Sequence, residues 1–526
     1  MVEVNFYFQV HQPYRVREFR VFEIGKNIDS LNQNNKTAKI NKKIGKKFSS
    51  SRSSLVRYLL DKAPTKLMSR LFIPFFQAHP KLKEFVKKHY LNFYFQVHQP
   101  YRMRDYRAFD IGKNHGYFDE KKNAEIIKKV SKKCYLPMNA LLMSLLEKYP
   151  EFKVTFSFSG VFLDQLEQYA PHTLESFKKL VKHKNVEILG ETYYHSLAYL
   201  YSIEEFVEQV KLHTKKIKEV FGKEPKVFRN TELIYDNNLA KVVQKLGFNA
   251  VITEGADHIL GWRSPNYVYY AKDSKMPLLL KNYRLSDDIA FRFSNRAWKE
   301  WPLTVDKYVS WINQIDGVIL NLFMDYETFG EHQWKDTGIF DFMKHLPKKL
   351  LEEGHGFITP SEAVEKFEPV GEVDVPHLIS WADIERDISA WRSNAMQDSA
   401  LEKIYSIEKD VKELGDKSLL EDWRKLQTSD HFYYMCTKYF SDGDVHKYFN
   451  PYESPYEAFI FFMNIFQDLK ERINALKREK AIQELEPEEM LDKDKSDKKS
   501  DKKITKKVKR SKSKRGTKKI KSKVKV

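Results

Sequence analysis

Cysteine is scarce: Cys134 and Cys436 are the only two in 526 residues. No disulfide framework can staple this chain, and no CxxC pair announces a zinc site, so both thiols are expected to be reduced. No uninterrupted apolar run reaches the length of about 18 residues that a membrane span needs. The start, MVEVNFYFQV, lacks a basic stretch leading into an apolar one. These absences point to a cytoplasmic protein without membrane contact. Also missing at the places that could carry chemistry are a P-loop and a glycine-rich dinucleotide turn, so phosphoryl and hydride transfer lack their signatures and no cofactor is expected.

What is abundant is positive charge and aromatic surface. The net charge is +19 and aromatics make up 14% of the chain. The charge is concentrated: residues 492–526 carry a net +14 and residues 31–90 a net +13, which leaves −8 for everything else. An acidic body with basic appendages does not suit a nucleic-acid enzyme, whose cations belong around the cleft. The Lys-rich tail remains the one place where nucleic acid or an anionic surface could be contacted.

The segment NFYFQVHQPYRVREFRVFEIGKN at 5–27 returns at 92–114 with 18 of 23 residues identical. The likeness ends there, so this is a duplicated fragment and not an array. The second copy runs directly into the rest of the chain and is read as the working first strand, which makes His98 the functional counterpart of His11. Apolar or β-branched runs at 153–159, 186–190, 226–230, 249–253 and 318–324 alternate with helical segments, the pattern of a parallel sheet with its chemistry at the carboxyl ends of the strands. A helix over 201–222 is announced by Ser202, Glu205 and Gly222 as cap, box partner and stop. Thr359, Pro360 and Glu362 announce another, and Ser454, Pro455 and Glu457 a third. The expected organisation is a partial duplicate with basic linker over 1–90, an α/β catalytic domain over 91–397, a helical subdomain over 398–486, and a basic, disordered tail over 487–526.

Polar clusters sit where strands end: HQPYR after the first, GETYYHS after the third, RNTELIY after the fourth and DYETFGEHQW after the strand at 318–324. SWADIERDISAW at 380–391 precedes the helical region. Taken together, these five ordered regions resemble glycoside hydrolase family 57, over residues 92 to about 480. The resemblance implies an incomplete (β/α)7 barrel followed by a helical subdomain. It also implies a retaining enzyme acting on α-glucans, with α-amylase as the leading activity and 4-α-glucanotransferase, debranching or branching as alternatives. Carried onto this sequence, the nucleophile falls on Glu232 and the general acid/base on Asp325.

Such a pair is what the chemistry needs, because one carboxyl must protonate the leaving oxygen while the other attacks the anomeric carbon. Glu327, two residues beyond Asp325 on an extended strand, shares its face and is the rival acid. His98 and Gln99 are expected at the broken bond. Glu191, His195, Trp262, Arg263, Trp381 and Asp383 are the further substrate-binding candidates, the indoles as sugar platforms. Trp334 is a weaker candidate platform. Glu191 and His195, four apart, also resemble metal ligands, which keeps a metal-dependent deacetylase as a remote alternative. Without an announced third ligand no metal is expected. The expected partner is an α-glucan.

Overall fold

The computed structural model describes residues 88–438 and 450–511, with side chains described through 483. The first copy of the repeat, with His11, and the end of the tail lie outside the described residues. So does the expected linker.

Ten strands form one sheet. They are β1 Tyr90–Val97, β2 Val154–Phe158, β3 Val186–Ile188, β4 Val227–Arg229, β5 Ala250–Glu254, β6 Val268–Ala271, β7 Pro277–Lys281, β8 Ile319–Asp325, β9 Gly356–Phe357 and β10 Glu372–Val373. β1 pairs in parallel with β2 and β8, β2 with β3, β4 with β5, β5 with β7, and β7 with β8. A parallel bridge between Gly190 and Phe228 joins the end of β3 to β4. The parallel pairings therefore run in a closed circuit through seven strands. Glycine leaves room at that junction, where a Cβ at 190 would lie 2.6 Å from the Phe248 ring. β6, antiparallel to β7, and the two-residue β9 and β10, parallel to β1 and β6, are additions outside the circuit. The sequence pattern announced none of these three, nor β7.

The period of two decides what each face does. On β1, Leu91, Phe93, Phe95 and Val97 join a buried apolar cluster with the surrounding helices. Asn92, Tyr94 and Gln96 turn the other way: Asn92 bonds Asn321 and Thr155, while Gln96 accepts from Tyr94 and Ser157. Burial of each fully enclosed Phe on the apolar face contributes about 1.5–3 kcal/mol. The polar layer is satisfied internally and so costs little. Register places Gln96 opposite Asp325, which brings the acid candidate to the polar face at the carboxyl end of β8.

The announced helix ends are observed. Ile203–Phe221 is capped by the Ser202 hydroxyl accepting from Glu205 N, and Gly222 stops it at φ 69°. Pro360–Lys366 carries the Thr359–Glu362 capping box. From Ala395 onward the described residues are helices and connections, packed onto the sheet through a large shared core that includes Trp391, Trp423 and Phe462. The last helix runs Pro455–Ser511, so its backbone continues beyond residue 487, where the sequence reading ends it. Glu457 accepts from Glu453 N and not from the Ser454 cap, so the expected reciprocal bond is displaced by one residue. Among the described residues no helix is long and apolar enough to cross a membrane. Cys134 and Cys436 are free and buried.

Candidate active site

Glu232 follows β4 on a tight turn and has a left-handed backbone, φ 56°, as does Leu233 at 53°. Non-glycine residues rarely stay there unless the surroundings hold them, and such strain clusters at functional sites. The surroundings here are explicit. Glu232 Oε1 accepts from His195 Nε2 at 3.2 Å and from the Ser429 hydroxyl at 3.0 Å, and Oε2 accepts from Trp381 Nε1 at 2.7 Å. The Glu232 carbonyl accepts from Trp381 N at 3.2 Å.

Behind this carboxylate, His195 Nδ1 meets Glu191 Oε2 at 3.0 Å, and the fully buried Arg229 guanidinium lies 3.7 Å from the same oxygen. Burial alone pushes the His195 pKa down, but bonds to Glu191 and Glu232 outweigh it and raise it to about 9. Burial pushes Glu191 up, and the His195 bond and charge with Arg229 hold it at about 2. Burial likewise opposes ionisation of Glu232, and the same imidazolium keeps its carboxyl below the usual value. The result is an ordered alternation of charge, Glu191 negative, His195 positive, Glu232 negative.

Asp325 has the opposite surroundings. Burial, followed by the charge of Glu232, raises its pKa to about 7. Glu327 is raised further, to about 8, by burial and the charge of Asp325. It accepts from the Tyr135 hydroxyl at 2.5 Å and from Gln99 Nε2 at 3.4 Å. Tyr135 ends a π-helical turn, Ser131–Tyr135, inside an otherwise α-helical stretch, the kind of local widening often found at functional sites.

A cleft of about 1150 Å³ opens over these groups, lined by His98, Gln99, His195, Glu232, Asp325, Glu327, Trp381 and Asp383 among others. Several expected roles change. Both ring nitrogens of His98 are occupied, Nδ1 by Ser159 Oγ at 2.6 Å and Nε2 by Asp430 at 3.0 Å, and its ring stacks on His195 at 3.9 Å. His98 thus lines the cleft where a sugar contact was expected, with both ring nitrogens bonded to protein partners. Glu191 is fully buried beneath His195 and does not line the cleft. His195 spends both nitrogens on carboxylates, which leaves neither for a metal. The Trp381 edge is committed to Glu232, and Arg229 and Lys281 lie over its ring at 5.2 and 5.4 Å. Asp383 pairs with Lys438 at 3.1 Å at the cleft wall.

Trp262 and Arg263 are not brought to the cleft. Trp262 is 95% exposed beyond the rim, and Arg263 donates to the carbonyls of Ile259, Leu260 and Glu372, clamping its own turn. Trp334 is also outside the cleft lining, half exposed. Sequence reasoning missed Arg229, Ser429 and Asp430. Arg229 stood within RNTELIY and an arginine three residues before a candidate nucleophile was a usable signal. Nothing in QTSDHF marks 429 and 430.

The family model for Glycosyl hydrolase family 57 matches residues 92–376. A protein of Methanocaldococcus jannaschii that carries the provisional name alpha-amylase is 46% identical over 403 residues, covering 73% of this chain and 85% of that one. Among solved structures, a GH57-type branching enzyme from Pyrococcus horikoshii superposes with a TM-score of 0.52 at 16% identity, over 69% of this chain and 87% of that one. A 4-alpha-glucanotransferase from Thermococcus litoralis does so at 0.51 and 17% identity, over 66% of this chain and 56% of the transferase. These two likenesses bear on the fold, and the first two findings bear on descent. The chain belongs to glycosyl hydrolase family 57 and is a glycoside hydrolase of that family.

Proposed function

We propose that this enzyme is a retaining α-amylase that cleaves internal α-1,4 bonds of starch or glycogen, with Glu232 as nucleophile and Asp325 as acid/base. The observation that carries the reading is the split between the two carboxyls. Donors hold Glu232 ionised, whereas burial keeps a proton on Asp325 up to about pH 7. Two titratable groups pushed apart in this way divide the acid and nucleophile roles between them. Asp325 protonates the departing glycosidic oxygen as Glu232 attacks the anomeric carbon. The resulting glycosyl-enzyme is then opened by water that Asp325, now a base, deprotonates.

The closed parallel circuit supports reading the fold as the family's (β/α)7 barrel over 91–397, with the helical subdomain over 398–486 closing one side of the cleft. Two buried free thiols suit a reducing cytoplasm. No part of the proposal uses the Lys-rich tail.

Product analysis on maltoheptaose tests the reading. Short maltooligosaccharides that are α-configured when first formed are expected. A β-configured first product overturns retention, and early oligosaccharides longer than the substrate replace the amylase with a 4-α-glucanotransferase or branching enzyme that passes the same intermediate to a sugar.

A further inference from the structure

The donors around Glu232 do not come from one part of the chain. His195 lies within residues 92–376, but Trp381 and Ser429 lie beyond the segment that the family model matches. So does Asp430, the carboxylate partner of His98. Ser429 opens a short helix, Ser429–Tyr433, in the helical region. It is fully buried, and two separate contacts fix it. Its backbone N donates to the His195 carbonyl at 2.9 Å, and its hydroxyl donates to Glu232 Oε1 at 3.0 Å.

The neighbouring residues stitch the same junction. The Thr428 hydroxyl donates to the Tyr194 carbonyl at 2.9 Å and Thr428 forms an antiparallel bridge with Ser196. Asp430 reaches across to His98 at 3.0 Å. The Asp430 carboxylate can only accept, so His98 Nε2 carries the proton, and because burial favours the neutral ring, Nδ1 accepts from the Ser159 hydroxyl. That fixes the imidazole in one tautomer.

We propose that Ser429 and Asp430 are positioning residues supplied by the helical subdomain, Ser429 completing the hydrogen-bond shell of the nucleophile and Asp430 orienting His98 beneath it. The proposal rests on Glu232 being the nucleophile. A docking role alone would require only the backbone contact of Ser429 and the bonds of Thr428. The hydroxyl is the one of these groups that reaches the Glu232 carboxylate, and its removal separates the two roles. The charged groups facing Glu232 are His195, Arg229, Asp325 and Asp430. Ser429 donates to the ionised carboxylate and so favours it, whereas Asp430 repels it.

The test is a set of pH–rate profiles with maltoheptaose for S429A, S429T and D430N in the full chain, alongside melting temperatures. For S429A, kcat falls about tenfold or more, as when one donor to a reacting oxygen is lost, while KM stays within a factor of about two. Its acid limb moves up because Glu232 loses a donor, S429T retains most of the wild-type rate, and D430N moves the acid limb down. Wild-type kcat and an unmoved acid limb in S429A overturn the proposal. So does an S429T variant as impaired as S429A, because then packing and not the hydroxyl is what matters. Turnover retained in E232Q would strike the nucleophile assignment instead, which keeps the two failures distinct.

Discussion

Two strand ends carry two carboxyls into one cleft, and they are built on opposite principles. At the end of β4, Glu232 is surrounded by donors: an imidazolium, an indole N–H and a hydroxyl. At the end of β8, Asp325 is surrounded by burial and by the negative charge of Glu232. On the proposed reading, the first environment prepares a group to attack and the second prepares one to give up a proton. The difference teaches that neither role resides in the carboxyl itself. An Asp or Glu becomes acid or nucleophile through what its neighbours do to its charge.

The strongest way to break the comparison is to neutralise each carboxyl. E232Q is expected to lose activity on soluble starch by about 10⁴-fold or more, and D325N by about 10²–10⁴-fold. On the proposed roles, azide should be taken up by E232Q as the β-glycosyl azide, through one direct displacement, and by D325N as the α-glycosyl azide, through the glycosyl-enzyme. The same anomer from both variants would mean the two groups are equivalent.

Next in size is the loss of the imidazolium. His195→Gln is expected to lower kcat about 10²-fold and to raise the acid limb, because Glu232 then ionises at higher pH. A limb that stays put would show that Trp381 and Ser429 suffice.

The basic limb sharpens the other half of the comparison. Asp325 must carry its proton, so kcat/KM is expected to fall as pH rises through about 7. Glu327 keeps its proton to about 8 and is already neutral when Asp325 ionises. E327Q is therefore expected to leave that limb in place. Turnover lost in E327Q as fully as in D325N would make Glu327 the working acid.

The smallest effect is on stability. Folding raises the Asp325 pKa from 3.8 to about 7, so between these values the folded state holds a proton that the unfolded state has released. Stability from this group therefore falls as pH rises across that window and stays low above it. D325N should melt a few degrees above wild type at pH 8 and no higher at pH 4. A constant offset at both would remove the link to burial.

How much of this was legible beforehand depends on where each group sits. Glu232, Asp325, His195 and Trp381 lie in short polar clusters next to apolar runs, so strand placement and family resemblance found them. Ser429 and Asp430 lie in a helical stretch without a motif, and only three-dimensional closure brings them to Glu232. Trp262 misled for the converse reason. An indole at a cleft and an indole on an exposed turn look alike in sequence, and the Arg263 bond to the Glu372 carbonyl, which ties that turn to β10, is a tertiary fact. Glu191 was found but misplaced by one layer, since spacing of four along a turn cannot say which of two side chains covers the other. β6 and β7 escaped notice although both are longer than β3 and β4; the Leu278–Leu280 run of β7 lacks the β-branched residues that mark a strand.

The π-helical turn at Ser131–Tyr135 bears on how this site could be retuned by changing chain length. Such a turn holds one residue more than an α-helix requires. Deleting that residue would return the helix to regular winding and rotate its N-terminal part against its C-terminal part by about 100°. Tyr135 could then no longer face Glu327 while Ile127 and Val130 of the preceding helix kept their places in the core. A one-residue deletion some distance along the chain from either carboxyl would thus act as a rotary adjustment of the acid's neighbourhood, leaving every charged group of the cleft in the sequence.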